Sequence, residues 1–333
     1  MSDLTTQYLG ITLKNPLIAS SSPLTAELDS VKRLEAAGAA AIVLPSLFEE
    51  SIHREQKQLE KYVHSQALGH YEADSYHPVP ENYKGELDRY LEHLQSVKDA
   101  VDIPVIASLN GISESGWADY AKQLEQAGAD ALELNIYYVA ADPTQTGEEI
   151  ETRYLTILES VSKDITLPVT MKLSSQFSSV ANMVTRLQAS GASGVVLFNR
   201  FYQPDIDLQT LTVQPQLELS SPTEALLRIR WIALMRGRVE LSMAATGGFH
   251  NVESLIKAIL AGADAVYLCS ALLQHGPEYC AQLLEQLQHW LTENEYDSVD
   301  QMKGSVSQFC ALDPVAYEHS NYLEVIRSYK ASQ

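Results

Sequence analysis

Short apolar runs alternate with amphipathic segments along nearly the whole chain. Four amphipathic segments end in a Gly-Ala pair that precedes an apolar run, and these pairs are Gly38-Ala39, Gly128-Ala129, Gly191-Ala192 and Gly262-Ala263. Glycine readily adopts the left-handed conformation that ends many helices, so each pair predicts a helix end followed by a strand. Three more apolar runs are entered by proline, at Pro16, Pro104 and Pro168, and a fourth covers residues 240–245. Proline at the first residue of a strand costs no ladder hydrogen bond.

These runs give eight strands, each followed by a candidate helix, and so predict an α/β protein with a (β/α)₈ TIM barrel. Capping boxes at Thr146-Gly-Glu-Glu and Ser221-Pro-Thr-Glu mark two of the helix starts. A doubly wound open sheet is the alternative, but its Gly-x-Gly-x-x-Gly turn is absent from the sequence. We expect a single domain over residues 1–333, with a hairpin at residues 8–13, the barrel at about 14–292 and a helical appendage at 293–333.

Composition narrows the classes of function. Of 333 residues, 45% are hydrophobic and 20% are charged, and the net charge is −20. A charge of this sign disfavours nucleic acid and anionic membranes as partners. Three cysteines in no spaced pattern suit a reducing cytoplasm, and we expect neither a signal peptide nor a spanning segment. The nine histidines show no metal-binding spacing, so we predict no metal site.

An anion site is predicted where the last two strands end. Thr246, Gly247 and Gly248 follow one strand, and Cys269 and Ser270 follow the next, where a helix is predicted to begin. Glycine lets a ligand approach the backbone, and a helix N-terminus presents free N–H groups. Barrel enzymes hold phosphate after their seventh and eighth strands. The pattern therefore predicts a phosphorylated ligand at the barrel mouth.

Polar side chains end the other strands. Lys172 ends an apolar strand and serves either as a fixed cation beside an electron-rich ring or as an amine that forms a Schiff base. Asn135 and Asn199 offer the donors and acceptors that suit the amide edge of a heterocycle. Two long segments, residues 47–83 and 200–220, leave from the same end of the strands and are expected to be functional loops.

Several of these motifs together resemble the dihydroorotate dehydrogenase family of FMN barrels. The resemblance covers nearly the whole chain and rests on seven segments: Tyr8-Leu-Gly-Ile-Thr-Leu-Lys-Asn-Pro-Leu-Ile-Ala-Ser-Ser, Glu133-Leu-Asn-Ile, Met171-Lys-Leu, Phe198-Asn199, Thr246-Gly-Gly, Ala261-Gly-Ala-Asp-Ala, and Cys269-Ser-Ala-Leu with Gly276-Pro277. It implies an FMN site formed by Ala19, Ser20, Ser21, Ser46, Asn135, Lys172, Thr246, Gly247, Gly248, Cys269 and Ser270. It also implies that Asn199, with Asn135, binds the substrate.

The substrate side departs from the family pattern. Tyr137-Tyr138-Val139-Ala140 stands where the family has a Ser-Cys-Pro-Asn type of loop, so Tyr138 takes the position of the general base. Pro45-Ser46 replaces Lys-Ser or Lys-Thr, and the Asn-Ser-Met-Gly-Leu segment is unrecognisable at residues 73–78. Leu219-Ser220-Ser221-Pro222 replaces a Gly-Gly stretch. The chain therefore resembles a divergent dihydroorotate dehydrogenase-like subgroup.

These features predict an FMN-dependent oxidoreductase acting on CH–CH bonds, with hydride transfer between a planar amide-like substrate and flavin N5. Lys172 and Tyr138 are the predicted catalytic residues. Three alternatives stay open: dihydroorotate oxidation with a relocated base in pyrimidine biosynthesis, a Schiff-base lyase or aldolase of a phosphorylated substrate using Lys172, and a non-catalytic flavoprotein partner subunit. The partner predictions are a small-molecule substrate, a homodimer and a redox partner protein.

Overall fold

Eight parallel strands close into a barrel, and the predicted (β/α)₈ fold is confirmed. The computed structural model describes residues 2–67, 83–111, 116–318 and 327. Each barrel strand pairs in parallel with its neighbours in chain order, and the last pairs with the first. In chain order the strands are β1 (Thr6–Tyr8), β2 (Ile11–Leu13), β3 (Leu17–Ala19), β4 (Ala41–Phe48), β5 (Val105–Asn110), β6 (Ala131–Asn135), β7 (Val169–Leu173), β8 (Gly194–Leu197), β9 (Asp205–Asp207), β10 (Thr212–Gln214), β11 (Ser242–Thr246) and β12 (Ala265–Leu268).

Helices surround the barrel. They are α1 (Leu28–Ala36), α2 (Glu49–Ala67), α3 (Glu86–Ala100), α4 (Trp117–Gln126), α5 (Gly147–Ser162), α6 (Val180–Ala189), α7 (Ala225–Met235), α8 (Val252–Ala261), α9 (Ser270–His275), α10 (Tyr279–Glu293) and α11 (Val299–Met302). Their apolar faces and the outward-facing strand residues form the larger of two core clusters. None of the helices in the described ranges has both the length and the hydrophobicity needed to cross a lipid bilayer.

A short hairpin closes the N-terminal end of the barrel, as predicted. Strands β1 and β2 pair antiparallel, and Tyr8, Leu9 and Leu13 are buried among inward-facing barrel residues in the second core cluster. The fit is tight, because a Cβ placed on Gly194 would lie 2.5 Å from Leu9 Cδ2. The open end of the barrel is therefore the opposite one, where the strands terminate at their carboxyl ends and where the candidate site residues lie.

The predicted helix boundaries agree with the backbone. Gly38, Gly128, Gly191 and Gly262 all have positive φ angles directly after a helix. Thr146 caps α5, since its Oγ1 accepts the amide N–H of Glu149 while Thr146 N–H donates to the carboxylate of Glu149. The alternation of helices and strands thus follows from helix-ending glycines and capping residues that can be recognised in the sequence.

Three segments outside the repeat differ from a plain loop. Strand β4 continues through a bulge to Phe48, so the long segment expected from residue 47 begins as strand and continues as α2. Residues 68–82, which include the unrecognisable segment 73–78, lie outside the described residues. Residues 200–220 contain the antiparallel pair β9–β10. In the tail, the turn after α11 bonds to α8, where Gly304 N–H donates to Ile259 C=O at 2.9 Å.

Candidate active site

The carboxyl ends of the strands surround two adjoining cavities of about 240 and 650 Å³. The smaller cavity lies against the turns after β11 and β12, and the larger lies towards β4, β5 and β6. Both are lined by Ser21, Ser22, Pro23, Lys172, Asn199, Arg200 and Tyr202. We call the two cavities together the cleft. Its size and its position fit a ligand larger than a single small metabolite, lying across the barrel mouth.

The turn after β11 requires glycine at two successive positions. Gly247 and Gly248 have φ angles of +88° and +91°, which L side chains rarely adopt. A Cβ on Gly248 would lie 2.3 Å from the amide nitrogen of Ala225, so the start of α7 packs directly on this turn. Thr246, Gly247 and Gly248 all line the smaller cavity, as predicted for an anion site.

Ser220 connects the two predicted anion-binding turns. Its Oγ accepts the N–H of Gly248 at 3.2 Å, and its own N–H donates to Ser270 Oγ at 3.1 Å. Its Oγ also lies 3.0 Å from His250 Nε2. Asn251 caps α8, whereas His250, the residue before it, contacts Ser220. Ser220 is thus a further polar residue of the smaller cavity, and its hydroxyl lies where the two turns meet.

A buried arginine lies behind the glycine turn, and sequence reasoning missed it. Arg228 of α7 is 6% exposed, and its Nε donates to the carbonyl of Thr246 at 3.0 Å. Its Nη2 would lie 3.0 Å from a Cβ on Gly247, and it pairs with Glu224 at 3.7 Å. Burial lowers the pKa of Arg228, but a guanidinium stays charged at neutral pH. Arg228 and Arg230 are the two charged residues of an otherwise apolar helix, and the position of Arg228 four residues after Glu224 was the available signal.

Lys172 reaches the centre of the barrel mouth. It is 7% exposed and lines both cavities. Its Nζ lies 3.4 Å from Oε1 of Glu133, a fully buried carboxylate on the neighbouring strand β6. A buried carboxylate is a partner for a charged ammonium rather than for a neutral amine. The geometry therefore favours the interpretation as a fixed cation over the Schiff-base interpretation.

Two asparagines meet on the floor of the larger cavity. Asn199 Nδ2 donates to Asn135 Oδ1 at 2.7 Å, and both side chains line the cavity. Asn110, at the end of β5, lines the same cavity. Three amides on one wall can hydrogen-bond a flat ligand that carries its own amide groups.

Tyr138 lies away from the cleft. Its hydroxyl donates to Gln145 Oε1, and the guanidinium of Arg153 stacks 4.3 Å from its ring centroid. Tyr137 lines the larger cavity instead, and its hydroxyl accepts the N–H of Tyr202 at 2.9 Å. The structure therefore does not bring the predicted proton-transfer residue to the other candidate residues, because this loop directs the first tyrosine, rather than the second, to the cleft.

The remaining predicted residues divide between the cleft and the core. Ser20, Ser21, Cys269 and Ser270 line the smaller cavity, and Ser46 lines the larger one. Ala19 is buried in the core between strands and helices and only carries the chain to Ser20. Burial raises the pKa of Cys269, so its thiol stays neutral near pH 7. Among the described residues, no group of three or more potential ligands could hold a metal ion.

A closed (β/α)₈ barrel with glycine turns and a buried lysine at the carboxyl ends of its strands is the arrangement found in (β/α)₈ barrel enzymes. Within that class, the chain belongs to the dihydroorotate dehydrogenase family, because the family model described as "Dihydroorotate dehydrogenase" matches residues 81–291. It is accordingly an oxidoreductase of the dihydroorotate dehydrogenase kind, which acts on CH–CH bonds.

The curated relatives share low sequence identity with this chain but align over most of its length. The chain is 26% identical to the dihydroorotate dehydrogenase B (NAD(+)) catalytic subunit of Bacillus pumilus, over 66% of this chain and 71% of that protein. It is 25% identical to the protein of the same name from Thermoplasma volcanium, over 91% of this chain and 98% of that protein. It is also 23% identical to the NAD-dependent dihydropyrimidine dehydrogenase subunit PreA of Escherichia coli K12, over 91% of this chain and 76% of that protein.

Proposed function

We propose that this chain binds FMN in the cleft and oxidises or reduces a CH–CH bond of a planar, amide-like substrate. The observation that carries the proposal is the placement of a buried, carboxylate-paired ammonium between an anion-binding turn and a wall of amides. FMN has a phosphate, a flat tricycle and a reactive face, and these three features correspond to the turn, to Lys172 and to the larger cavity. The family membership supports the same assignment.

The smaller cavity fits the phosphate end of FMN. Gly247 and Gly248 present backbone to this cavity, because Arg228 and the start of α7 occupy the space that their side chains would take, and Ser20, Ser21 and Ser270 add hydroxyl groups. A chain of net charge −20 opposes anion binding overall, so a local positive charge is needed. Arg228 supplies that charge from behind the turn without occupying the cavity. Fixed dipoles and a fixed cation together form the kind of preorganised anion site that the phosphate requires.

The larger cavity fits the ring and the substrate. When bound, FMN would supply the site that accepts or donates a hydride. Lys172 would stabilise negative charge next to the ring, because the ammonium is held in place and excluded from bulk water. Asn135 and Asn199, joined by their hydrogen bond, would orient the amide edge of the substrate. This arrangement supports a heterocyclic substrate such as a dihydropyrimidine.

Electron transfer to a partner chain completes the proposal. Two of the relatives carry the words "catalytic subunit" in their names and a third is a "subunit", which supports a redox partner for this chain as well. The three cysteines are Cys269, Cys280 and Cys310, and all are free thiols. An iron–sulfur centre would therefore reside on the partner. A cytoplasmic location and a homodimer remain predictions.

The visible spectrum of the purified protein tests the proposal directly. We expect a flavin spectrum in the protein as purified or after incubation with FMN, and bleaching under anaerobic conditions by dihydroorotate or dihydrouracil. Borohydride treatment with sugar phosphates should leave Lys172 unmodified. A colourless protein that takes up no FMN, or a borohydride adduct on Lys172, would contradict the proposal.

A further inference from the structure

Glu133 is a buried carboxylate to which the proposed function assigns only the pairing with Lys172. Its side chain is fully buried on the inner face of β6, below the floor of the cleft. Its Oε1 contacts Lys172 Nζ at 3.4 Å, whereas its Oε2 is buried without a hydrogen-bond partner among the described residues. A buried carboxylate with an unsatisfied oxygen is energetically costly, so its presence at this position needs a physical explanation.

A chain of hydroxyls leads from the cleft to this carboxylate. Ser46, which lines the larger cavity, has its Oγ 2.8 Å from Ser108 Oγ. Ser108 Oγ in turn donates to Glu133 Oε1 at 3.3 Å. Tyr90 holds Ser108 in place, because its hydroxyl accepts the N–H of Ser108 at 3.1 Å. The path begins at the cleft wall, ends at a carboxylate and contains only groups that can pass a proton.

Among the groups packed around Glu133, the carboxylate itself is the one that can accept a proton. Three buried tyrosines interact electrostatically with Glu133, namely Tyr8, Tyr90 and Tyr267. Burial raises the pKa of each phenol, so all three keep their protons. Lys172 is the cation that contacts the Glu133 carboxylate. Tyr138, the residue at the family's base position, is bonded to Gln145 outside the cleft. A proton-accepting group other than Tyr138 is therefore needed at the cleft.

We propose that Ser46 is the catalytic base and acid of this enzyme, and that Ser108 and Glu133 form the relay that activates it. This inference rests on the proposed function. In the oxidation direction, a C–H bond next to the substrate carbonyl breaks and its proton goes to Ser46 Oγ. The Ser46 proton passes to Ser108 Oγ, and the Ser108 proton passes to the Glu133 carboxylate. The electron pair left on carbon would form the C=C bond while the neighbouring carbon gives up a hydride, which FMN, when bound in its oxidised form, would accept.

The relay also balances charge. Once Glu133 carries the proton it is neutral, and Lys172 loses its negative partner. Lys172 then faces the negative charge that the ring acquires with the hydride, so one ammonium serves the carboxylate before the reaction and the reduced ring after it. Coupling of this kind keeps the buried site near constant net charge, which a low-dielectric interior favours.

Rapid-mixing measurements of flavin reduction test the relay on the FMN-loaded protein. We expect Ser46→Ala and Glu133→Gln each to slow reduction by about 10²–10⁴-fold, the usual contribution of general acid–base catalysis. The double variant should be no slower than either single variant, because all act in one path. Ser46→Cys should recover part of the rate, since a thiol can exchange a proton. Ser162→Ala, at the end of α5, is the matched control and should react like the wild type.

Two measurements separate the relay from a structural role. The infrared band of a protonated carboxyl should appear when substrate reduces the wild type and should be missing in Glu133→Gln. If Glu133→Gln fails to fold, Ser108→Ala interrupts the same path. A wild type that is reduced by substrate while Ser46→Ala is reduced within a few-fold of its rate overturns the relay alone. A wild type that binds no FMN or is not reduced by any dihydropyrimidine overturns the proposed function and the relay together.

Discussion

Replacing Gly248 with alanine tests the packing beneath the proposed phosphate site. Gly248 has a φ angle of +91°, and a Cβ would meet the Ala225 nitrogen at 2.3 Å and the carbonyl carbon of Glu224 at 2.9 Å. The left-handed conformation costs an alanine about 1–2 kcal/mol. Overpacking adds about 1–3 kcal/mol, because the neighbouring atoms belong to the backbone and cannot rotate away. We therefore expect Gly248→Ala to lower the free energy of unfolding by about 2–5 kcal/mol.

Gly191→Ala is the matched control. Gly191 has a similar φ angle of +99°, but a Cβ there would meet nothing within 4 Å. This variant should lose only the conformational part, about 1–2 kcal/mol. Urea unfolding of the FMN-free proteins measures both losses, and titration with FMN should show weaker binding for Gly248→Ala alone. Equal losses of stability in the two variants would refute the close packing of α7 on the turn.

Three further predictions follow from the site. Arg228→Met should weaken FMN binding in equilibrium titrations, because the fixed positive charge behind the glycine turn is lost; Arg186→Met, on the outer surface, should not. Tyr138→Phe should keep its rate of substrate turnover, and a large loss would return this tyrosine to the chemistry. Because burial raises the pKa of Cys269, iodoacetamide near pH 7 should modify exposed Cys310 first in mass spectra, and Cys269 only at higher pH; rapid labelling of Cys269 would contradict its burial.

The fold could be predicted because its signals are local. Glycines such as Gly128 and Gly262 end helices through their own backbone freedom, and Pro104 and Pro168 mark strand entries. Parallel strands also place their carboxyl ends together, so Lys172 was expected at the barrel mouth before any coordinates were known. Strand β4 was the exception, because the bulge that carries it on to Phe48 depends on pairing with β5 and leaves no pattern in the sequence.

The site was only partly predictable because side-chain direction in loops and helices depends on packing. Nothing in the pair Tyr137-Tyr138 says which ring faces the ligand, and the structure places Tyr137 there. Arg228 lies 18 residues before Thr246 in sequence, and only the packing of α7 on the glycine turn brings them together. Ser108 lies near the end of an apolar run, but its contact with Glu133 depends on the register between β5 and β6.

The hairpin seal at the N-terminal end of the barrel bears on the order of events in a catalytic cycle. The hairpin residues Tyr8, Leu9 and Leu13 fill the N-terminal end of the barrel. Bulk water therefore has no short route through that end to the barrel centre. A hydrogen ion stored there would have to depart by the mouth, which stays blocked while the oxidised ligand remains bound. We therefore expect a pH-indicator dye to lag behind flavin bleaching and to keep pace with product departure.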